Sequence, residues 1–207
     1  MQSTTEKNIS KKDASKLIAQ QQIAHKLLAG FYENILACFT RLADECGGYT
    51  FFRWGPFLTE RTCQRLVNPF IRSIWEFLPL YASDFVYKLS DEPEEAQPGN
   101  CVLTFRLHCD EGFKSHNDPP VKLESQSGSI KVYIDRCVKP DTMSVSKRYD
   151  TYYWPDQFND GMWHDTESLY MKTYYKRYLL EDFIREQDSI QKHLCELTSK
   201  KYKVQTK

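Results

Sequence analysis

The chain has 207 residues and a mass of 24.4 kDa, a length at which one domain with its own core is expected. Hydrophobic residues at 41% and aromatics at 14% exclude a disordered protein, and 28 basic against 28 acidic residues exclude a generally basic nucleic-acid binder. No apolar run approaches the ~18 residues of a membrane span, so no transmembrane helix and no membrane partner are expected.

Residues 1–10 are polar and are expected to be disordered, and the opening MQSTTEKNISKKDASK has no apolar core, so no signal peptide is expected. From Ala14 a helical pattern begins. Alternating steps of three and four reach Ala14, Leu17, Gln21, Ala24, Leu28, Phe31, Ile35, Cys38, Leu42 and Glu45, eight of the ten apolar. A mean step near 3.5 is a heptad seam, and at ~1.5 Å per residue it is about 48 Å long. Ile18, Leu27 and Phe39 widen the stripe. Gly47-Gly48 supplies the stop. A seam needs an apolar partner, so Leu17, Leu28, Phe31, Ile35 and Leu42 are the candidate partner interface. The partner is either the C-terminal helix of the same chain or a second subunit.

Tyr49 to Phe57 reads as an aromatic connector. Thr59 can cap a helix to about Val67, and Asn68-Pro69 opens another that carries Phe70, Ile71, Ile74, Trp75 and Leu78 before Pro79 closes it. Period-two alternation then predicts four strands, over 81–89, 101–109, 130–138 and 143–153. One face of each is polar, which favours antiparallel pairing with one wet face. The connector DEPEEAQPGN reads as an exposed acidic loop, and EGFKSHNDPPVKLESQSG is longer than most loops of compact domains. Asp165 or Thr166 can cap a last helix from about Glu167 to Ser199, with Phe183, Gln187, Ile190, Leu194 and Leu197 as its seam. The expected fold is therefore α+β, with long N- and C-terminal helices packed on a four-stranded, mostly antiparallel sheet. It forms a single domain over 11–199, helical over 11–80, sheet over 81–154 and helical again over 165–199. Residues 200–207 are a basic tail.

The cysteines number seven, with no Cys-x-x-Cys pair, which predicts free thiols in a cytoplasmic protein. Charge is unevenly spread. Residues 1–26 and 188–207 each carry five Lys and two acids, whereas 81–100 hold one Lys and five acids and 151–170 hold four acids and no base.

Three groups carry candidate chemistry. His108-Cys109-Asp110 followed by His164 resembles the spacing of the facial triad of iron and 2-oxoglutarate oxygenases, with Arg177 in the place of the co-substrate arginine. That family needs a double-stranded β-helix of about eight strands, whereas four are readable here. His116, Asn117 and Asp118, with Asp110 and Glu111 near in sequence and Lys122 or Lys131 as a lysine, could serve a metal-dependent nuclease. The third group interleaves aromatic and basic residues, KRYDTYYW at 147–154 and MKTYYKRY at 171–178, the pattern of a surface that stacks bases and neutralises phosphates. Its contacts are Arg106, Lys131, Arg148, Lys172, Lys176 and Arg177, with Tyr133 and Tyr152 alongside. Tyr170, Tyr174 and Tyr178 read as one helical stripe.

No nucleophile elbow, phosphate-binding loop or dinucleotide fingerprint is present. The expectation is a non-enzymatic interaction protein that dimerises through helices and associates with nucleic acid, with no catalytic residue, metal or cofactor. The Lys-, Tyr- and Trp-rich composition suggests an accessory factor of a bacterial mobile element. The alternative is a metal-dependent enzyme, nuclease or oxygenase, built on His108, Asp110, His116 and His164.

Overall fold

The structure is a computed structural model, and it describes residues 10–56, 82–109, 128–149, 158–166 and 170–199. The chain divides into two units, Met1–Phe39 and Thr40–Lys207.

The described part of the first unit is helix alone. Helix α1 spans Lys11–Glu45 and so continues into the second unit. It starts three residues earlier than the periodicity predicts because Ser10 caps it. The Ser10 hydroxyl accepts from Asp13 N at 3.2 Å and donates to the Asp13 carboxylate at 2.6 Å, satisfying a first-turn N–H that has no partner within the helix. It ends where expected. Gly47 and Gly48 take positive φ of 127° and 75°, and both donate to Asp44 O.

The second unit is built on a six-stranded antiparallel sheet in the order β1-β2-β3-β4-β6-β5. The strands are β1 Tyr49–Pro56, β2 Ala82–Leu89, β3 Cys101–His108, β4 Ser129–Cys137, β5 Met162–Asp165 and β6 Met171–Leu179. Three of the four expected strands are β2, β3 and β4. The mixed α+β class and the antiparallel pairing hold, but the sheet has six strands rather than four. The expected strand 143–153 is wrong over Val145–Tyr149, which form the short helix α2. Ser144 Oγ accepts from Lys147 N at 3.4 Å, and Glu92 accepts from Ser146 N at 2.7 Å, so a local cap and a carboxylate from the acidic connector overrule the alternation. Residues 49–56, read as a connector inside a helical stretch, are β1. The register slips between Phe51 and Arg53, and this bulge hides the strand's period.

The largest correction concerns the C-terminal helix. Residues 171–179 are strand β6, followed by helices α3 Leu180–Arg185 and α4 Gln187–Thr198. Tyr170, Tyr174 and Tyr178 are four apart, a step that repeats on one face of a helix and also on one face of a strand. The helices expected over 59–67 and 68–78, the N-terminal tail 1–9 and the basic tail 200–207 lie outside the described residues.

One sheet face carries Phe85, Tyr87, Leu103, Phe105, Leu107, Ile130, Val132, Ile134 and Tyr174, all buried. Helices α3 and α4 pack there through Phe183, Ile190, Leu194 and Leu197, also buried. Edge-to-face rings tie them in: Phe183 sits 6.1 Å from Phe105 and 5.8 Å from Tyr178. The apolar spacing predicted for the last helix is thus real, but its partner is the sheet. Arg136 is also on this face, only 3% exposed. It donates to Leu197 O at 3.1 Å and Ser199 O at 2.9 Å, placing a cation on the carbonyls that end α4.

The opposite face was expected to be wet and is mostly buried. Val86, Ala96, Val102, Cys137, Val145 and Met171 form a small core there, with Phe52 packed against it. Beside it Thr104, Asp135 and Thr173 are buried, and Thr173 Oγ1 donates to Asp135 Oδ1. On this part of the face, polar residues at alternate positions therefore meet internal hydrogen bonds rather than water.

Candidate interaction surfaces

The first surface is a row across the second sheet face. Strand register sets Asp84 opposite Arg106, Arg106 opposite Lys131, and Lys131 opposite Arg177, one residue from each of β2, β3, β4 and β6. Like charges directly opposite each other cost energy unless an anion relieves them. At one end Asp84 does so, gripping Arg106 with two hydrogen bonds of 2.6 and 2.8 Å. The Arg106 guanidinium also lies 5.2 Å from the Tyr133 ring centre. In the next row Tyr133 and Tyr175 are opposite, their centroids 5.3 Å apart, and Phe158 stacks on Tyr175 at 5.3 Å. Tyr133 is only 3% exposed, and burial pushes its phenol pKa upward despite the Arg106 charge beside it.

Of the six expected nucleic-acid contacts, Arg106, Lys131 and Arg177 share this row. Lys172 and Lys176 do not. Their strand positions face the opposite side, opposite Arg136 and Val132. Lys172 pairs with Asp165 at 3.0 Å, and Lys176 with Asp160 at 2.7 Å. Arg148 lies in α2, and its side chain is outside the described residues, as is Tyr152. Had residues 171–179 been read as a strand, their period of two would have separated Arg177 from the two lysines. The pairings of Asp84 with Arg106 and of Asp160 with Lys176 are not legible in the sequence because neither anion is near its partner in the chain.

The register also bears on the enzyme alternative. His108 ends β3 and lies in line with Ser129 and Leu179, whereas His164 on β5 lies opposite Thr173. Three strand spacings at ~4.8 Å, and six residues along β6 at ~3.3 Å, separate the two Cα atoms by roughly 24 Å, beyond what two imidazole side chains can span. A metal ion bound at ~2.1 Å cannot take both. His164 Nε2 instead accepts from Asn159 N at 3.0 Å, and its ring meets Phe158 edge-on at 5.0 Å, closing the turn before β5. Asp110 and His116 lie outside the described residues. Among the described residues no three His, Cys, Asp or Glu side chains are grouped as metal ligands.

The second surface is α1. Along the expected seam Leu17 is 54% exposed, Leu28 and Phe31 are half-buried, and Ile35 and Leu42 are buried. Leu42 belongs to the second unit; the bare part lies wholly in the first. Ile18, Ile23 and Leu27 are exposed as well, Leu27 by 70%. No helix among the described residues is long and apolar enough to cross a membrane.

A family model described as PM0109 matches residues 11–205. The chain belongs to the PM0109 family. Comparison with curated proteins and with solved structures gave no match. The PM0109 match takes in both the bare helix and the sheet with its cationic row, so the two surfaces belong to the same family unit.

Proposed function

We propose that this PM0109-family chain is a non-enzymatic interaction module that works as a homodimer, joined through the N-terminal half of α1. The observation that carries the reading is the exposure of Leu17, Ile18 and Leu27, on or beside the heptad seam of a helix of 35 residues. Bare apolar side chains in such a group gain ~25 cal/mol per Å² when covered. Heptad spacing specifies a cover of the same pitch, another helix. Among the described residues α4 offers only 12 residues, ~18 Å of helix against ~52 Å for α1. A second α1 has the matching length. The positions flanking the seam are Gln20, Leu27 and Asn34 on one side and Ile18, His25 and Tyr32 on the other. They put no like-charged pair between two parallel copies.

Sedimentation equilibrium tests the reading. Wild-type protein should be a dimer, and Leu17→Asp combined with Leu27→Asp should be monomeric with an unchanged far-UV spectrum, since both side chains are exposed. A wild-type monomer at high protein concentration overturns it.

A second reading, association with nucleic acid, is favoured by the row Arg106, Lys131 and Arg177. Three cations at one height on adjacent strands suit a chain of phosphates. Lys131→Ala and Arg177→Ala should each weaken oligonucleotide binding in fluorescence anisotropy and flatten its salt dependence by about one ion per residue. No binding at tens of micromolar protein removes this reading and leaves the dimer standing.

A further inference from the structure

Cys46 and Cys195 are 149 residues apart in sequence, and their sulfurs lie 2.6 Å from one another. Two sulfurs that ignore each other sit farther apart, and a bonded pair sits at about 2.05 Å. Both residues belong to the second unit. Cys46 directly follows the last residue of α1, where the glycine pair turns the backbone, and Cys195 lies one turn before the end of α4. The surrounding contacts hold this geometry. Cys46 Sγ also donates to Gln191 O at 3.7 Å, Cys195 Sγ to Glu45 O at 3.5 Å, and Thr198 Oγ1 to Cys46 O at 3.3 Å.

Two further thiols, Cys101 and Cys137, are placed differently. Cys101 is fully buried with its sulfur on Gly99 O and near Arg136, and Cys137 donates to Lys139 O at 2.9 Å. Both are core positions. Cys46 is buried while Cys195 is partly exposed, so Cys195 is the more accessible residue of the pair.

We propose that Cys46 and Cys195 form a reversible modification site, a dithiol that a low-molecular-weight disulfide of the glutathione type converts to an intramolecular disulfide tying the end of α1 to α4. The Cys195 thiolate attacks one sulfur of the glutathione disulfide, a new S–S bond forms, and the first glutathione leaves as thiolate and takes up the proton Cys195 lost. Cys46 then attacks the Cys195 sulfur of the mixed disulfide. The second glutathione leaves as thiolate and takes the Cys46 proton. The protein loses two electrons and two protons, and one glutathione disulfide becomes two glutathione thiols. Burial raises the Cys46 thiol pKa, and the neighbouring Cys195 adds to the rise, which suits Cys46 to the second, intramolecular step rather than the first. The bridge closes a very long loop, so it restricts the unfolded chain and raises the unfolding midpoint.

The test is native wild-type protein incubated with oxidised glutathione, quenched with an alkylating reagent, digested and read by mass spectrometry. The expected product is a peptide pair linked through Cys46 and Cys195, with no glutathione retained on either and a higher unfolding midpoint than the reduced protein. Cys46→Ala should instead keep glutathione on Cys195, and Cys195→Ser should form no bridge and leave Cys46 reduced. The proposal is overturned if wild-type Cys195 stays glutathionylated, if both thiols stay reduced, or if the link joins two chains. The wild-type readout stands even if a variant fails to fold.

Discussion

Arg136 shows how a single residue can hold two layers together. It comes from the middle of the sheet, yet its guanidinium ends on the last carbonyls of α4. Those acceptors have no partner within the helix, and the planar fork reaches two at once. Replacing it with Met keeps much of the apolar stem but strands the carbonyls. Denaturant unfolding should show a loss of about 2–4 kcal/mol. Lys at this position should recover only part, since an ammonium cannot copy the fork. Asp160 makes a different prediction. Partial burial works to raise its pKa, but hydrogen bonds from Lys176 Nζ and Arg177 N and the charges of both residues outweigh it, leaving the carboxyl below its ordinary 3.8. A folded-state pKa below the unfolded one adds stability above that ordinary value, and the gain is lost as pH falls through the folded value. Asp160→Asn should therefore be less stable than wild type at neutral pH, with the gap closing below pH ~4 in thermal melts. At this scale the sequence was partly legible. Alternation put Arg106 and Lys131 on one face because a strand's period is local. It could not pair Asp84 with Arg106, nor find the cap from Glu92 or the Cys46–Cys195 contact, which depend on where distant segments land.

At the scale of elements, what could be read depended on whether periodicity survived. Helix α1 was legible because eight of its ten heptad positions are apolar, and its end because two glycines adjoin. Strands β2, β3 and β4 were legible because they alternate cleanly. Strand β6 was not, because tyrosines four apart satisfy both periods, and the apolar spacing of α4 just beyond it extended the helical reading backwards. Strand β1 was lost to its bulge. The wet face was misjudged for a related reason: Thr104 and Asp135 alternate like surface residues but are buried with hydrogen-bonding neighbours. Within α1, Gly30 offers a clean test. A Cβ there would meet nothing within 4 Å. Glycine inside a helix costs about 1 kcal/mol relative to alanine. Gly30→Ala should raise the helix signal in circular dichroism and stabilise the helix by up to that amount. A loss of helix signal would mean that the backbone at residue 30 is not regular helix.

For the whole molecule, the sheet order has a consequence for how the protein is made. The chain leaves β4, passes the neighbouring slot to lay down β5 at the far edge, and only then returns to fill the slot with β6. During synthesis β1, β2, β3 and β4 can pair as soon as each emerges. The outer side of β4 must wait for Met171–Leu179, while β5 has been made but has no partner until β6 appears. Until then Ser129–Cys137, rich in β-branched and aromatic residues, presents an open backbone edge, the template on which chains join to one another. A chain ended just before Met171 should collect in the insoluble fraction, and one that runs through Thr198 should not. Slow passage of the ribosome over the codons between β4 and β6 should lengthen the same exposure and raise the share of full-length protein captured by chaperones.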